Sequence, residues 1–212
     1  MQTKIIIVRH GESIANALRV YLGHTNWDLS ELGKRQAEIV AEYLKDEPID
    51  RIYSSDLLRA YNTALPHSKR HGLPVERRYE LREIYLGEWE CREIEVLERF
   101  YPQEFCIGWR ENFGTCTPPG GESVPDVAER IYNAVMDIAR ENEGKTVLIA
   151  SHAAAIRAFW GKITATPPEK LAESIPFPKN ASCSTVIYDG ERLIPAEYGY
   201  DAYFNNDAAA EA

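Results

Sequence analysis

The feature that most constrains this chain is an apolar run, residues 5–8 (IIIV), that ends directly in Arg9 and His10. Four β-branched residues favour a buried strand, because their restricted χ1 rotamers fit a pleated surface. Gly11 then lets the backbone turn. Ligands of open α/β sheets bind outside the carboxyl ends of the strands, and a guanidinium beside an imidazole suits a phosphate group. The motif alone is equally compatible with two ordinary surface residues at a strand end.

A second apolar run of the same kind, residues 147–150 (VLIA), leads to His152, and a helix is predicted over 153–162. If the two strands are neighbours in one sheet, both imidazoles project into the same crevice. Only five histidines are present. Two of them in the same local setting favour a functional pair over two structural residues.

Arg59 is a third candidate at the same edge. A strand is predicted over 51–55, and Asp56 is predicted to cap a helix that runs to residue 69. Arg59 lies in the first turn of that helix, close to the carboxyl end of the strand. Taken alone, an exposed arginine paired with Asp56 is the better interpretation. His67 and His71, further along this helix, are interpreted as surface residues.

The remaining pattern alternates strands and helices. Helices are predicted over 30–44 and 124–141, a strand over 75–78, and a hairpin joins 184–188 to 192–196 through an Asp-Gly turn. Alternation of this kind indicates an α/β layer structure.

Residues 88–125 interrupt this pattern. They are rich in aromatic side chains and end in a Pro- and Gly-rich stretch, so we expect an insertion that covers one end of the sheet. Ordinary packing of extra aromatics is an equally good interpretation of each one singly. We expect one domain over 1–204 and a flexible tail over 205–212, whose residues are small and polar.

Composition excludes several classes of protein. The formal net charge of −9 argues against a nucleic-acid-binding protein, whose footprint is usually basic. No apolar run is long enough for a signal peptide or a membrane span. The four cysteines form no Cys-x-x-Cys pair, which disfavours a zinc site, and we expect reduced thiols and a cytoplasmic location.

Several stretches together resemble the histidine phosphatase superfamily, also called the phosphoglycerate mutase-like family. They appear in the family's order: residues 8–13 (VRHGES) with Asn16, 29–33 (LSELG), 53–60 (YSSDLLRA), 81–83 (LRE) with 87–90 (GEWE), 121–123 (GES) and 151–157 (SHAAAIR). The resemblance covers residues 4 to about 160. It implies a three-layer α/β/α fold with a mostly parallel central sheet and a small helical or loop insertion over the active site.

The resemblance also implies roles for site residues. His10 would attack phosphorus, with its second ring nitrogen bonded to a backbone carbonyl. Arg9, Arg59 and His152 would hold the phosphoryl oxygens, and Glu83 would serve as general acid and then general base. Spacing alone does not separate Glu83 from Glu80, Glu88, Glu90 and Glu93; the family match does. Further phosphate or substrate contacts are expected from Asn16, Ser13, Gly23, His24 and Ala153, with neither a metal nor a cofactor.

Two departures from the family pattern concern specificity. Alanines 153 and 154 replace glycines common after the second histidine, and residues 24–28 (HTNWD) differ from the frequent Trp-Thr-Asp pattern. Arg19 lies one position from the arginine often seen before that segment.

The prediction is a phosphomonoesterase acting on a small phosphorylated metabolite, because the insertion is net acidic and thus a poor clamp for a bisphosphate. A cofactor-dependent phosphoglycerate mutase is the alternative. A phospho-ligand-binding module without activity is a third, and a homodimer is left open.

Overall fold

The computed structural model describes the backbone of residues 1–206 and the side chains through Phe204; most of the expected tail, 207–212, lies outside the described residues. Within that range, strands form one six-stranded sheet in the order β3-β2-β4-β1-β5-β6. Strands β1 to β4 run parallel to one another. Strand β5 is antiparallel to its neighbour β1, and β6 is antiparallel to β5. Their bounds are Thr3–Arg9 (β1), Ile49–Ser55 (β2), Val75–Arg78 (β3), Thr146–Ser151 (β4), Cys183–Tyr188 (β5) and Leu193–Tyr200 (β6).

The helices cover both faces of this sheet. They are Ile14–Ala17 (α1), Glu31–Tyr43 (α2), Leu58–His71 (α3), Ile94–Phe100 (α4), Val124–Glu141 (α5), Ala153–Ile163 (α6) and Leu171–Ser174 (α7). In β1, Ile5 and Ile7 belong to the core shared with α5 and α6, whereas Ile6 and Val8 belong to the core shared with α2 and α3. Successive side chains of a strand point to opposite faces, so a run of four apolar residues fits a strand buried on both sides. The predicted three-layer α/β/α fold is confirmed.

Most predicted elements agree with the structure, and α5 begins and ends at the predicted residues. The predicted cap of α3 is wrong. The N-cap is Leu57, which makes no side-chain cap bond, while the Asp56 carboxylate accepts two hydrogen bonds from Arg82, at 2.7 and 2.6 Å. A bidentate charged pair satisfies this carboxylate better than one backbone amide. The helix also continues through Pro66.

The segment predicted as an insertion contains α4, a π-helical stretch Pro102–Glu111 and short 3₁₀ turns at Gly87–Trp89 and Phe113–Thr115. Its aromatic side chains are mostly internal: Trp89, Phe105, Trp109 and Phe113 pack edge to face and join the core on the α5–α6 side of the sheet. The division of the chain into one domain with an insertion stays a prediction.

No helix among the described residues is long and apolar enough to cross a membrane. All four cysteines are free thiols.

The interpretation of His67 as a surface residue is wrong, because its side chain is completely buried in α3. Neither ring nitrogen has a hydrogen-bond partner among the residues described. Desolvation on burial, together with the nearby His71 and Arg70, lowers the pKa of His67 to about 3. The ring is therefore neutral in the folded protein.

This burial predicts a specific acid sensitivity. Between pH 6.5 and about 3 the unfolded chain binds a proton at His67 that the folded chain does not. As the pH is lowered through this range, His67 therefore reduces the free energy of unfolding by about 1.4 kcal/mol per pH unit. Replacing His67 with Leu removes the contribution. Denaturant unfolding at pH 7 and pH 4.5 should show a stability loss smaller in the variant by about 2–3 kcal/mol. Equal losses in both proteins would contradict the assignment.

Candidate active site

The two predicted histidines meet because β1 and β4 are adjacent and parallel. In their register Arg9 is paired with Ser151, so the next residues, His10 and His152, leave the sheet side by side. The His10 amide donates a 3.0 Å hydrogen bond to the Ser151 carbonyl. The two ring centroids are 5.2 Å apart. The sheet therefore assembles both imidazoles at its carboxyl edge, as the sequence predicted.

The His10 ring has a defined tautomer. Its Nδ1–H donates to the backbone carbonyl of Gly11 at 2.6 Å, which leaves the lone pair on Nε2. Burial, and then the positive charges of Arg59 and Arg9, lower the pKa of His10 well below 6.5. The imidazole is therefore neutral at physiological pH, and its Nε2 keeps an unprotonated lone pair.

Two arginines flank this ring; Arg59 is buried and Arg9 is half-buried. Arg9 donates from Nη1 to the carbonyl of Pro178 at 2.5 Å, and its Nε is buried without a partner among the described residues. Arg59 donates to the carbonyls of Thr25 and Gly23 at 3.0 and 2.7 Å. Desolvation lowers the pKa of each arginine to about 10, so both remain charged near neutrality. Their bonds to neutral carbonyls leave that charge available to an anion.

Gly23 contributes through its backbone. Its φ of +53° is left-handed, a conformation that costs glycine nothing. A side chain there would also meet the Glu90 carboxylate and the Leu86 amide. Glu90 in turn accepts hydrogen bonds from the amides of His24 and Thr25, at 2.6 and 3.0 Å. Glu90, one of the glutamates that spacing could not separate from Glu83, thus fixes the loop whose carbonyls bind Arg59.

The Glu83 side chain lies at the amino end of α6, the helix that begins directly after His152. Its carboxylate accepts hydrogen bonds from the amides of Ala155, at 2.9 Å, and Ala154, at 3.2 Å. A helix amino terminus is a favourable place for a carboxylate because its first amides have no partners within the helix. Of the five glutamates that spacing could not separate, Glu83 is the one that lines the cavity beside His10.

Ser13 and Asn16 form the cap of α1. The Ser13 hydroxyl accepts from the Asn16 amide, and the Asn16 side-chain oxygen accepts from the Ser13 amide, both at 3.1 Å. Both residues also line the cavity. The two interpretations of Ser13, helix cap and phosphate contact, are therefore compatible.

The cavity has a volume of about 250 Å³. Among the described residues its charged lining consists of Arg9, Arg19, Arg59 and one carboxylate, Glu83. The predicted residues Gly23 and Ala153 also line it. His152 does not: its side chain is fully buried behind His10, and neither ring nitrogen has a partner among the described residues. Burial and the charge of Arg59 lower its pKa well below 6.5.

His24 lies behind the site rather than in its wall. Its Nε2–H donates to the backbone carbonyl of Glu83 at 2.9 Å, and its ring borders an outer pocket with Tyr79 and Tyr85. The substrate contact expected for His24 stays a prediction.

The sequence predicts an aromatic insertion over the active site, which includes Trp109, but sequence reasoning missed the other aromatic residues of the far wall of the cavity. Tyr21, Trp109 and Phe177 line it, and Trp109 stacks on Phe177 with centroids 6.1 Å apart. It also missed Asn180, whose side-chain amide donates to the His10 carbonyl at 3.1 Å. The available signal for Phe177 and Asn180 was the Pro-rich stretch before β5, where a loop long enough to return to the site could be expected.

No group of three or more histidine, cysteine or carboxylate side chains suited to a metal occurs in the part of the chain that the structure describes. The positive charge at the cavity comes from arginines instead.

Comparison with known proteins decides the family. The model of the histidine phosphatase superfamily (branch 1) matches residues 5–199. The chain belongs to the histidine phosphatase superfamily. It is 36% identical over 157 residues to phosphoserine phosphatase 1 of Hydrogenobacter thermophilus, covering 74% of each chain. It is 33% identical to a probable phosphoglycerate mutase of Photorhabdus laumondii, covering 87% of this chain and 85% of that one.

A solved structure supports the phosphatase branch of this superfamily. Mycobacterial glucosyl-3-phosphoglycerate phosphatase in complex with VO3 superposes with a TM-score of 0.85 at 30% identity, covering 93% of this chain and 99% of that chain. The predicted family and fold are confirmed, and these phosphatase relatives support a phosphomonoesterase.

The lowered pKa values predict the titration of the two site histidines. Since burial disfavours the charged imidazolium, the ring signals of His10 and His152 should not titrate near pH 6.5 and should change only at much lower pH. Nuclear magnetic resonance of the histidine rings, assigned with His10→Ala and His152→Ala, measures this. A midpoint at or above 6.5 for either ring would contradict the neutral pair.

Proposed function

We propose that this protein is a metal-independent phosphomonoesterase that acts through a phosphohistidine on His10. The observation that carries the proposal is the His10 ring itself: it is neutral, oriented by the Gly11 carbonyl, flanked by Arg9 and Arg59, and faces a cavity that Glu83 also lines. A neutral oriented nucleophile, two fixed cations and one carboxyl group are the parts that phosphoryl transfer needs.

In the first half-reaction, the Nε2 lone pair of His10 attacks phosphorus and the bond from phosphorus to the ester oxygen breaks. The Glu83 carboxyl gives its proton to the departing alcohol. Arg9 and Arg59 stabilise the negative charge on the three transferring oxygens, and the side-chain amide of Asn16 donates one more hydrogen bond. The phosphate contact expected from His152 stays a prediction, because its ring lies behind His10 and outside the cavity lining. Both arginines are partly desolvated, which strengthens the interaction of their charges with the transition state.

In the second half-reaction, the Glu83 carboxylate takes a proton from water as that water attacks the phosphohistidine. The bond from phosphorus to Nε2 breaks, and His10 recovers its lone pair. Inorganic phosphate leaves, and Glu83 is again protonated. The sum is hydrolysis of a monoester to an alcohol and phosphate, with no other reactant.

Hydrolysis is favoured over the mutase alternative by the charges near the cavity. The insertion carries Arg92, Arg99 and Arg110, and none of them lines the cavity. Arg110 pairs with Glu98 on α4, and Arg99 lies over the Phe100 ring. A second phosphate of a bisphosphate would therefore find only Arg19, which is largely exposed and paired with Glu95 at 3.4 Å.

The substrate class we propose is a small phosphorylated metabolite. The two phosphatases among the relatives named above are a phosphoserine phosphatase and a glucosyl-3-phosphoglycerate phosphatase, and a 250 Å³ cavity suits a molecule of modest size. The aromatic wall of Tyr21, Trp109 and Phe177 supports a leaving group with some apolar surface.

We also propose that the protein binds no nucleic acid, consistent with its net charge of −9, and that it resides in the cytoplasm, where its four free thiols would stay reduced. A homodimer is compatible with the family, and light scattering would measure it.

Phosphate release tests the proposed route directly. In excess chelator, the wild type should hydrolyse p-nitrophenyl phosphate and a panel of metabolite monoesters. His10→Ala should lose about 10³-fold or more in kcat/KM, because no other group replaces the nucleophile. His71→Ala, a histidine at the far end of α3, is the matched control and should retain activity. Activity that needs a divalent ion, or that survives in His10→Ala, would refute the proposal.

A separate assay distinguishes hydrolase from mutase. Incubated with 3-phosphoglycerate and catalytic 2,3-bisphosphoglycerate, the protein should form negligible 2-phosphoglycerate while still releasing phosphate from its best monoester. An isomerisation rate that matches or exceeds hydrolysis would establish the mutase alternative.

A further inference from the structure

The backbone of Glu83 is held from outside the cavity by two side chains that no part of the proposed chemistry uses. Its carbonyl oxygen accepts one hydrogen bond from His24 Nε2, at 2.9 Å, and another from Arg130 Nη2, at 3.2 Å. Both lone pairs of this carbonyl are thus occupied by side-chain donors. The residue is thereby restrained by its peptide group as well as by its carboxylate.

Arg130, on α5, restrains the whole segment that precedes Glu83. Its Nη1 donates to the carbonyls of Glu80 and Arg82, at 2.8 and 3.0 Å, in addition to the bond from Nη2 to Glu83. One planar guanidinium therefore holds three carbonyls of a four-residue stretch, 80–83, that leaves a 3₁₀ turn after Leu81 and continues without regular structure.

Glu122 fixes the guanidinium in turn. Its two carboxylate oxygens accept from Arg130 Nε, at 2.8 Å, and Nη2, at 2.6 Å. The Glu122 amide also donates to the Tyr85 carbonyl at 2.8 Å, which ties the pair to the far side of Glu83. A bidentate pair in which both side chains are about one-fifth exposed has a specific geometry.

We propose that Glu122, Arg130 and His24 form a brace that positions Glu83 for proton transfer. The inference rests on the proposed function, since it concerns the general acid of that reaction. These three are positioning residues: none of them lines the cavity that holds His10. The amides of α6 hold the Glu83 carboxylate from one side, and the brace holds its backbone from the other.

The brace has a consequence that mere stability would not produce. Displacement of a general acid slows a reaction most when the leaving oxygen is a strong base that must be protonated as it departs. An alkoxide leaving group needs it, whereas p-nitrophenolate departs without it. Loss of the brace should therefore slow alkyl phosphate hydrolysis selectively.

The test compares Arg130→Gln with Arg78→Gln as the matched control. Arg78 also joins the β3 end to α5, through Glu141 at 2.9 Å, but does not touch Glu83. In Arg130→Gln, kcat/KM for glycerol phosphate should fall by about tenfold or more, with less than about threefold loss for p-nitrophenyl phosphate. Arg78→Gln should change both values alike and little. Because kcat/KM covers only the steps through alcohol release, slow dephosphorylation does not mask the effect.

Three further variants extend the test, and the first two, His24→Leu and Glu122→Gln, keep it decisive if Arg130→Gln does not fold. His24→Leu removes one of the two donors to the Glu83 carbonyl and should show the same leaving-group selectivity to a smaller degree. Glu122→Gln should show it too, and should add little to the effect of Arg130→Gln, since Glu122 acts through that guanidinium. Arg130→Lys should recover part of the loss.

The outcomes separate the brace from the chemistry that it serves. If His10→Ala is inactive and the brace variants lose kcat/KM equally for the two substrates, the brace is refuted and the phosphohistidine route stands. If His10→Ala retains activity, the proposed function itself fails.

Discussion

The parallel pairing of β1 with β4 is the constraint on which the site depends. The Arg9–Ser151 register places His10 and His152 side by side, and a slip of one residue would turn one imidazole to the opposite face of the sheet. The same strands are buried on both faces, so the register is fixed by the core rather than by the site. The positions of the catalytic candidates thus follow from apolar packing several residues away.

Charge is the second constraint. In the proposed reaction a chain of net charge −9 must attract a phosphate. Two arginines at the cavity, Arg59 buried and Arg9 half-buried, hold their positive charges against neutral carbonyls, with one carboxylate in the cavity wall. Burying a cation is unfavourable unless polar groups surround it. The carbonyls of Pro178, Gly23 and Thr25 supply that environment without cancelling the charge. The free energy cost of desolvating these cations is thereby reduced, and their charges remain available to bind an anion.

Local patterns were sufficient for much of the fold. The β1 run, the start of α2 and the limits of α5 follow from rules that act within a few residues; α2, for example, begins where the Ser30 hydroxyl accepts a hydrogen bond from the Gly33 amide. The errors arose where distant partners decide. The Asp56 carboxylate accepts its hydrogen bonds from Arg82, twenty-six positions away, rather than from the first amides of its own helix. The burial of His67 depends on packing that its exposed-looking neighbours, Lys69 and Arg70, do not reveal.

The site shows the same division. Arg9, His10 and His152 could be found because each follows a recognisable strand. Glu83 could be chosen only from the family resemblance, since five glutamates share its region, and the contacts that distinguish it come from α6. Phe177 and Asn180 reach the site from a long loop without regular structure, so no periodic pattern marked them.

The most direct test of the account is to trap the intermediate. The protein is mixed with a fast monoester substrate, quenched within milliseconds in base, where the acid-labile phosphorus–nitrogen bond of phosphohistidine survives, and digested for mass spectrometry. The account predicts a phosphoryl group on the peptide that contains His10, formed and lost at rates compatible with turnover. Full turnover with no phosphoenzyme, or with the phosphoryl group on another residue, would contradict it.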